Sequence, residues 1–143
     1  MRRILVDTDV LIEILRGSEW AVACVSELHR TGVQFLFSPV TRAEIVHGMR
    51  PGEERQINLL LSAMEPLPIT DTAGDRAGGY LRAFHRSHGV QMGDALIAAS
   101  AVLARAALLT CNRKHYPMPD IAVIVPDRPS PAVRRPSRSR SGG

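Results

Sequence analysis

The stretch Ile4-Leu5-Val6-Asp7-Thr8-Asp9-Val10-Leu11-Ile12 contains the change of pattern on which the fold depends. Its first three residues are an aliphatic and β-branched run, which predicts a buried strand ending at Asp7. Apolar residues then recur at helical spacing as far as Leu15, and Gly17 ends the helix that they predict. Because ligands bind outside the carboxyl ends of the strands in open parallel sheets, Asp7 is the first candidate for a functional residue.

The rest of the chain alternates predicted strands and helices. Further strands are predicted at 33–37, 67–69, 107–110 and 121–125. Further helices are predicted at 18–32, 39–48, 53–64, 71–88 and 93–106. The strand at 67–69 is expected to be short because Pro68 disfavours a central position in a sheet. Thr41 and Glu44 form a Thr-x-x-Glu pattern, which predicts a capping box at the start of the third helix. This order favours a parallel sheet covered on both faces by helices.

The composition predicts one globular domain with a basic extension. The 143 residues are 45% apolar and 22% charged, which is typical of a globular protein. The formal net charge of +4 comes from arginines that follow Asp127, since residues 1–126 carry equal numbers of acidic and basic side chains. The basic balance therefore does not mark the folded body as a nucleic-acid binder. We predict a folded domain over 1–126 and a disordered Arg/Pro/Ser-rich tail over 127–143.

Several classes of protein are excluded by the sequence. No apolar run reaches the roughly 20 residues that a membrane-spanning helix needs. Asp7, Asp9 and Glu13 interrupt any apolar core of an N-terminal signal peptide, so a cytoplasmic location is expected. Cys24 and Cys111 are far apart and have no metal-ligand spacing, which predicts neither a zinc site nor a disulfide.

Three acids are expected at the same edge of the sheet. Asp7 ends the first strand, Glu44 lies in the first turn of the helix after the second strand, and Asp94 starts the helix 93–106. Each acid alone has a structural explanation, since carboxylates stabilise the first turn of a helix. Together with Asp9 they would repel one another unless a divalent cation lay between them. Oxygen ligands without cysteine or a histidine cluster favour Mg²⁺ or Mn²⁺, and such ions promote phosphodiester hydrolysis.

Four blocks of the sequence resemble the PIN-domain ribonucleases and, more narrowly, the VapC-type toxins of bacterial toxin–antitoxin pairs. The blocks are Ile4-Leu5-Val6-Asp7-Thr8-Asp9-Val10-Leu11-Ile12, Ser38-Pro39-Val40-Thr41-Arg42-Ala43-Glu44-Ile45, Gly93-Asp94-Ala95-Leu96-Ile97-Ala98-Ala99 and Leu109-Thr110-Cys111-Asn112-Arg113-Lys114-His115-Tyr116. The similarity covers about residues 3–126 and leaves out the arginine-rich tail. One Asp-x-Asp alone would be a weak signal, whereas four blocks in order are a strong one.

The resemblance implies a three-layer α/β/α sandwich with a central, mainly parallel sheet of four to five strands. It implies that residues 1–126 are a PIN-like nuclease domain in which Asp7, Glu44 and Asp94 bind Mg²⁺ or Mn²⁺ and cut RNA. In this hypothesis Asp7 and Asp94 ligate the principal metal, while Glu44 ligates through water or orients the attacking water. The residues expected to support the site are Asp9, Thr110, Asn112 and His115.

The resemblance also implies partners and one departure from the family pattern. The expected partners are a second copy of the chain and an antitoxin whose C-terminal segment lies over the acidic site. Many members of the family have a fourth acid where this chain has His115. Whether one or two metals bind is therefore left open, and Asp9 or Asp120 could take the place of that acid.

Two other functions fit parts of the sequence. The run ending in Asp7 and Asp9 also resembles haloacid-dehalogenase phosphatases, in which Asp7 would be a covalent nucleophile. That family needs a later lysine and an acidic pair, and the chain offers only Lys114 with the separate Asp120 and Asp127. The second alternative is a non-catalytic module that binds RNA or ribosomes through the arginine-rich tail, with affinity that falls as salt rises.

Overall fold

The computed structural model describes residues 1–128, so the predicted tail lies outside the described residues except for Asp127 and Arg128. The strands are β1 (Arg3–Val6), β2 (Gln34–Phe37), β3 (Glu65–Pro66), β4 (Ala107–Leu109) and β5 (Val123–Ile124). The helices are α1 (Thr8–Leu15), α2 (Glu19–Arg30), α3 (Pro39–Gly48), α4 (Glu54–Ser62), α5 (Asp71–His88) and α6 (Met92–Leu103). A short 3₁₀ turn (Arg113–His115) lies between β4 and β5.

The strands form one parallel sheet in the order β3-β2-β1-β4-β5. The central strand is β1, in which Leu5 lies beside Leu36 of β2 and Leu108 of β4. Because all five strands are parallel, their carboxyl ends lie along one edge of the sheet. This edge receives Asp7 from β1, Ser38 from β2 and Thr110 from β4.

Side chains of the central strands alternate between two apolar layers, as the period of two in a strand requires. Leu5, Leu36 and Leu108 pack with α5 and α6 on one face. Ile4 and Val6 point to the other face, where they pack with residues of α1, α3 and α4. Ile4, Leu5 and Leu108 are fully buried, which is typical of strands covered on both sides. The predicted three-layer α/β/α sandwich with a parallel sheet of four to five strands is confirmed.

Two details of the predicted elements are wrong. The start of α3 is capped by Ser38, whose hydroxyl accepts from the Val40 amide at 3.1 Å, so Thr41 and Glu44 do not form a capping box. They lie within the first two turns of the helix and contact Thr8 instead. The short strand predicted at 67–69 is found at Glu65–Pro66. It is an edge strand, where a proline is tolerated because the missing amide faces away from the sheet.

The remaining helix boundaries follow local signals in the sequence. Asp7 caps α1, and the hydroxyl of Thr70 caps α5 by accepting from the Ala73 amide at 3.1 Å. Gly89 ends α5 with a φ of +68°, a conformation that glycine adopts without steric cost.

No helix within residues 1–128 has the length and apolar character that crossing a membrane requires. Cys24 and Cys111 are both free thiols and are partly buried.

Candidate active site at the carboxyl edge of the sheet

Asp7 is the most buried acid of the site and is fixed by several hydrogen bonds. Its residue is 7% exposed, and its carboxylate accepts hydrogen bonds from three donors on separate parts of the chain. The Thr8 amide donates to Oδ1, and the hydroxyls of Thr110 and Tyr116 donate to Oδ2, each at 2.8 Å. The backbone fixes the same residue, because the Asp7 amide donates to the Leu109 carbonyl at 2.8 Å. Backbone and side-chain hydrogen bonds together therefore fix the position of this acid.

The surroundings of Asp7 oppose its negative charge. Burial, followed by repulsion from Asp9, raises the pKa of the Asp7 carboxyl from 3.8 to about 6. The hydrogen bonds from Tyr116, Thr110 and Thr8 act in the opposite direction, but they do not offset the burial. Asp7 is consequently ionised at neutral pH at a free-energy cost, which a bound cation would relieve.

Asp9 lies beside Asp7 and fixes the segment that follows β4. Its carboxylate accepts from the Asn112 side-chain amide at 2.8 Å and from the Cys111 backbone amide at 3.2 Å. The Thr110 hydroxyl lies 3.3 Å from the same carboxylate. The charge of Asp9 also contributes, after burial, to raising the pKa of the Cys111 thiol to about 11. Asp9, Thr110 and Asn112 thus form one hydrogen-bonded group.

Glu44 reaches the site through Thr8. The Thr8 hydroxyl donates to Oε1 of Glu44 and lies 3.0 Å from the Thr41 hydroxyl. Thr8 and Thr41 are buried, while Glu44 is exposed, which differs from the partly covered position suggested by its apolar neighbours in sequence. The opposite oxygen, Oε2, lies toward Gly93, since a Cβ built on Gly93 would be 3.8 Å from it. Glu44 therefore spans the gap between the end of β1 and the start of α6.

Asp94 lies in the first turn of α6, on the other side of Asp7. Its Oδ2 accepts from the Gln91 backbone amide at 3.1 Å, so the acid also caps its own helix. Its charge acts on the Tyr116 hydroxyl, whose pKa is raised by burial, then by Asp7, and also by Asp94 and Asp9. Tyr116 is therefore near all three aspartates, although it bonds only Asp7 among them.

The four acids surround one edge, but their carboxylates do not form a closed cluster. Within residues 1–128, no three histidine, cysteine, aspartate or glutamate side chains are close enough together to hold a metal ion. Glu44 is bonded to Thr8, and Asp94 is bonded to the backbone at Gln91. The donors themselves are all carboxylate and hydroxyl oxygens, which is the chemistry that Mg²⁺ and Mn²⁺ prefer. The residue types therefore fit such an ion, with Asp7 as the fixed donor.

His115 and Asp120, which were both considered from the sequence, lie apart from the four acids. His115 is exposed in the 3₁₀ turn, where its backbone amide bonds the Asn112 carbonyl at 3.1 Å. Asp120 bonds Tyr80 and Arg76. It lines a cavity with Arg3, the first residue of β1, and with Arg2 before it, so it lies at the opposite edge of the sheet. It does not replace a fourth acid at this site.

Sequence reasoning missed Thr8 and Tyr116 as members of the site. Thr8 lies between the two acids of the Asp-x-Asp pattern, but its position alone does not reveal that its hydroxyl holds Glu44. Tyr116 is 3% exposed and comes from the loop after the 3₁₀ turn, whose path the sequence pattern does not specify. A buried tyrosine usually has a hydrogen-bond partner, and here the partner is the least exposed acid of the site.

Replacing Tyr116 with phenylalanine is expected to destabilise the protein by about 1.5–3 kcal/mol at pH 8, since a hydrogen bond to a buried charged group is lost. The loss should be smaller at pH 4.5, where Asp7 is protonated because its pKa is about 6. Urea denaturation at the two pH values measures both effects. Tyr80→Phe is the matched control, because its hydroxyl bonds Asp120, whose side chain is 40% exposed. Equal losses in the two variants would contradict the role given to Tyr116.

Comparison with known proteins agrees with this fold. The model of the PIN domain family matches residues 4–121. The chain therefore belongs to the PIN-domain family. It is 39% identical over 120 residues to ribonuclease VapC10 of Mycobacterium tuberculosis, a match that covers 80% of this chain and 86% of the relative. Ribonuclease VapC19 of the same organism is 34% identical over 119 residues, covering 82% of this chain and 95% of the relative. Within the family the chain is thus of the VapC type.

Solved structures with the same fold come from toxin–antitoxin complexes. VapBC2 of Rickettsia felis, bound to a DNA fragment from its promoter, superposes with a TM-score of 0.72 at 22% identity and covers 87% of this chain and 99% of that chain. A toxin–antitoxin complex from Klebsiella pneumoniae gives a TM-score of 0.66 at 26% identity, covering 85% and 95%. Membership of the PIN-domain family leaves the haloacid-dehalogenase alternative without support, and Asp120 bonds Arg76 and Tyr80 and no residue of the site.

Proposed function

We propose that this chain is the toxin of a toxin–antitoxin pair and acts in the cytoplasm as a Mg²⁺- or Mn²⁺-dependent endoribonuclease. The observation that carries the proposal is the buried Asp7 carboxylate, held by three donors and raised in pKa, beside Asp9 at the edge shared with Glu44 and Asp94. Negative groups gathered in this way, with no cation among the described residues that bond them, call for a divalent ion. The names of the relatives, both ribonucleases, support the choice of RNA as substrate.

Asp7, Asp94 and Glu44 are the proposed ligands. When bound, the ion would supply a water of lowered pKa and neutralise charge on the leaving oxygen of the phosphodiester. Asp7 is held in place before binding, whereas Glu44 and Asp94 are bonded to Thr8 and to the Gln91 amide. We infer that each of these two acids keeps that hydrogen bond through one oxygen and offers its other oxygen, Oε2 of Glu44 and Oδ1 of Asp94, to the ion or to its bound water.

The remaining residues hold this arrangement in place. Thr110 and Tyr116 aim the Oδ2 atom of Asp7, and Asp9 anchors the segment from Thr110 to Asn112. Oε1 of Glu44 accepts from Thr8, so Oε2 is the oxygen left to accept a hydrogen bond from the attacking water. Partners of this kind typically change metal affinity or activity by about 10- to 100-fold when removed. His115, which lies at the outer side of the 3₁₀ turn, is assigned to the rim of the site.

The proposed protein partner is an antitoxin. Solved structures of the same fold contain such partners. A cavity of about 410 Å³ between α1, α2 and α4 is lined mainly by apolar side chains, among them Leu11, Val25 and Leu60. Apolar surface of this kind is typical of a protein interface. Assembly as a homodimer or as a toxin–antitoxin hetero-oligomer is part of the same proposal.

Induction of the full chain in a bacterial host tests the proposal. New RNA 5′ ends should appear within minutes for the wild type and should be absent for Asp94→Asn expressed to the same level. Sequencing of the 5′ ends measures the result and identifies the cleaved RNA. RNA that co-purifies with the chain without any new ends would instead support the non-catalytic module, and equal cleavage by the variant would contradict the assignment of Asp94.

A further inference from the structure

A second cavity lies at the amino edge of the sheet, away from the acids. It has a volume of about 340 Å³ and is lined by Arg2, Arg3 and Arg105 together with the small side chains at the start of β4 and before β5. We call it the arginine cavity. Arg3 and Asp7 are four residues apart along β1, which corresponds to about 13 Å of extended chain. The arginine cavity is therefore separate from the candidate active site.

The charges around the arginine cavity do not balance. Asp120 is the acid among its lining residues, and it already accepts from Arg76 at 2.7 Å and from Tyr80 at 2.8 Å. Arg3 donates to the Ala104 carbonyl at the end of α6, at 2.8 Å. Among residues 1–128, the guanidinium groups of Arg2 and Arg105 form no hydrogen bond or ion pair. The cavity thus has two positive groups available to a ligand.

A turn at the end of α6 fixes the position of Arg105. Arg105 has a φ of +55°, which makes it the one residue other than glycine with positive φ in the described part of the chain. It follows α6 in a turn where the Ala106 amide bonds the Ala101 carbonyl at 2.9 Å and the Arg105 amide bonds the Val102 carbonyl at 3.1 Å. Glycine is the usual residue at this position, because a side chain there is strained. The hydrogen-bonded turn therefore holds Arg105 at the lining of the cavity.

We propose that the arginine cavity binds a phosphate group. Guanidinium groups match the oxygens of phosphate with paired hydrogen bonds, and groups from separate segments suit the several oxygens of phosphate better than the two of a carboxylate. The lining has no aromatic ring on which a base could stack, so the ligand is recognised through its phosphates. The phosphates come either from an RNA strand or from a small polyphosphate.

Titration of the full chain in buffer without divalent metal tests the proposal. The probes are pyrophosphate and a short single-stranded oligoribonucleotide, with affinity measured by calorimetry and the site located by amide chemical shifts. Arg105→Asn removes the charge while keeping a residue that tolerates positive φ. Arg82→Asn is the control, since Arg82 is an exposed arginine of α5 that does not line the cavity.

The affinity for at least one probe should fall about tenfold in Arg105→Asn and should stay within about twofold of the wild type in Arg82→Asn. A loss of affinity for pyrophosphate alone identifies a small polyphosphate as the ligand. A loss of affinity for the oligoribonucleotide identifies an RNA strand as the ligand. Equal losses of affinity in the two variants would overturn the proposal. It would also be overturned if the amide chemical-shift changes of the wild type lay outside residues 2–3 and 102–107. Thermal melting verifies that both variants are folded. No cleavage is needed, so failure here leaves the nuclease proposal untouched.

Discussion

Asp94→Asn is expected to reduce RNA cleavage by the purified chain at least about a thousandfold in the presence of Mg²⁺ or Mn²⁺. The reason is that a metal ligand supplies several kcal/mol of transition-state stabilisation, and each 1.36 kcal/mol corresponds to a factor of ten in rate. The fold should be kept, because an asparagine oxygen can still accept from the Gln91 amide as Oδ2 of Asp94 does. Single-turnover cleavage of a labelled RNA measures the rate.

The control for this prediction is Asp71→Asn. Asp71 also lies in the first turn of a helix, α5, and makes the same contribution to the helix dipole without belonging to the acidic edge. Its replacement should leave cleavage within about twofold of the wild type and change stability by less than about 1 kcal/mol. If both variants lose cleavage equally, Asp94 acts through the helix and not through the site.

Asp7→Asn is expected to make the metal-free protein more stable at pH 7 while abolishing cleavage. Burial and Asp9 raise the pKa of Asp7 from 3.8 to about 6, so the folded protein holds this proton more tightly than the unfolded chain. The associated stability is fully present below pH 4 and is lost as the pH rises through about 6. The loss amounts to roughly 3 kcal/mol at most. Asparagine stays neutral, but its amide group opposes one of the three donors, so the gain should be about half that figure.

The stability difference between wild type and Asp7→Asn isolates this effect, since the other titrating groups are shared. Urea denaturation from pH 4 to pH 8 should show the wild type losing stability relative to the variant between about pH 4 and 6.5. Mn²⁺ at a hundred times its dissociation constant should then restore about 2.7 kcal/mol to the wild type and nothing to the variant. A difference that does not change with pH would show that burial does not disfavour the charge of Asp7.

The sequence predicted the acids at the strand ends because that placement depends on local patterns. An apolar run followed by helical spacing located Asp7, whereas Thr110, which the pattern placed inside the predicted strand 107–110, was expected at the site from the family resemblance and follows β4 in the structure. Parallel strands bring these ends to one edge, so Asp7 and Thr110 come within hydrogen-bond distance although 103 positions separate them. The helices after β2 and before β4 brought Glu44 and Asp94 to the same edge for the same reason.

Contacts that depend on loop paths and helix rotation were not predictable in this way. The Thr-x-x-Glu pattern at Thr41 suits a capping box, but Ser38 already caps the helix, which leaves both side chains for a tertiary contact with Thr8. Tyr116 reaches Asp7 from a loop of irregular backbone. His115, one position earlier, is turned outward by the same 3₁₀ turn. The conformational propensities of His115 and Tyr116 do not predict which of the two side chains is buried. The packing of the turn decides it.

Helices α3 and α6, which carry Glu44 and Asp94, approach each other closely at Gly93. A methyl group on Gly93 would be 3.3 Å from the Val40 side chain, which is closer than most Cβ contacts, so a larger residue at position 93 would require Val40 or one of the two helices to shift. The spacing of the helices that carry Glu44 and Asp94 therefore depends on the absence of a side chain at position 93. A substitution there would disturb both acids at once, although it changes neither of them.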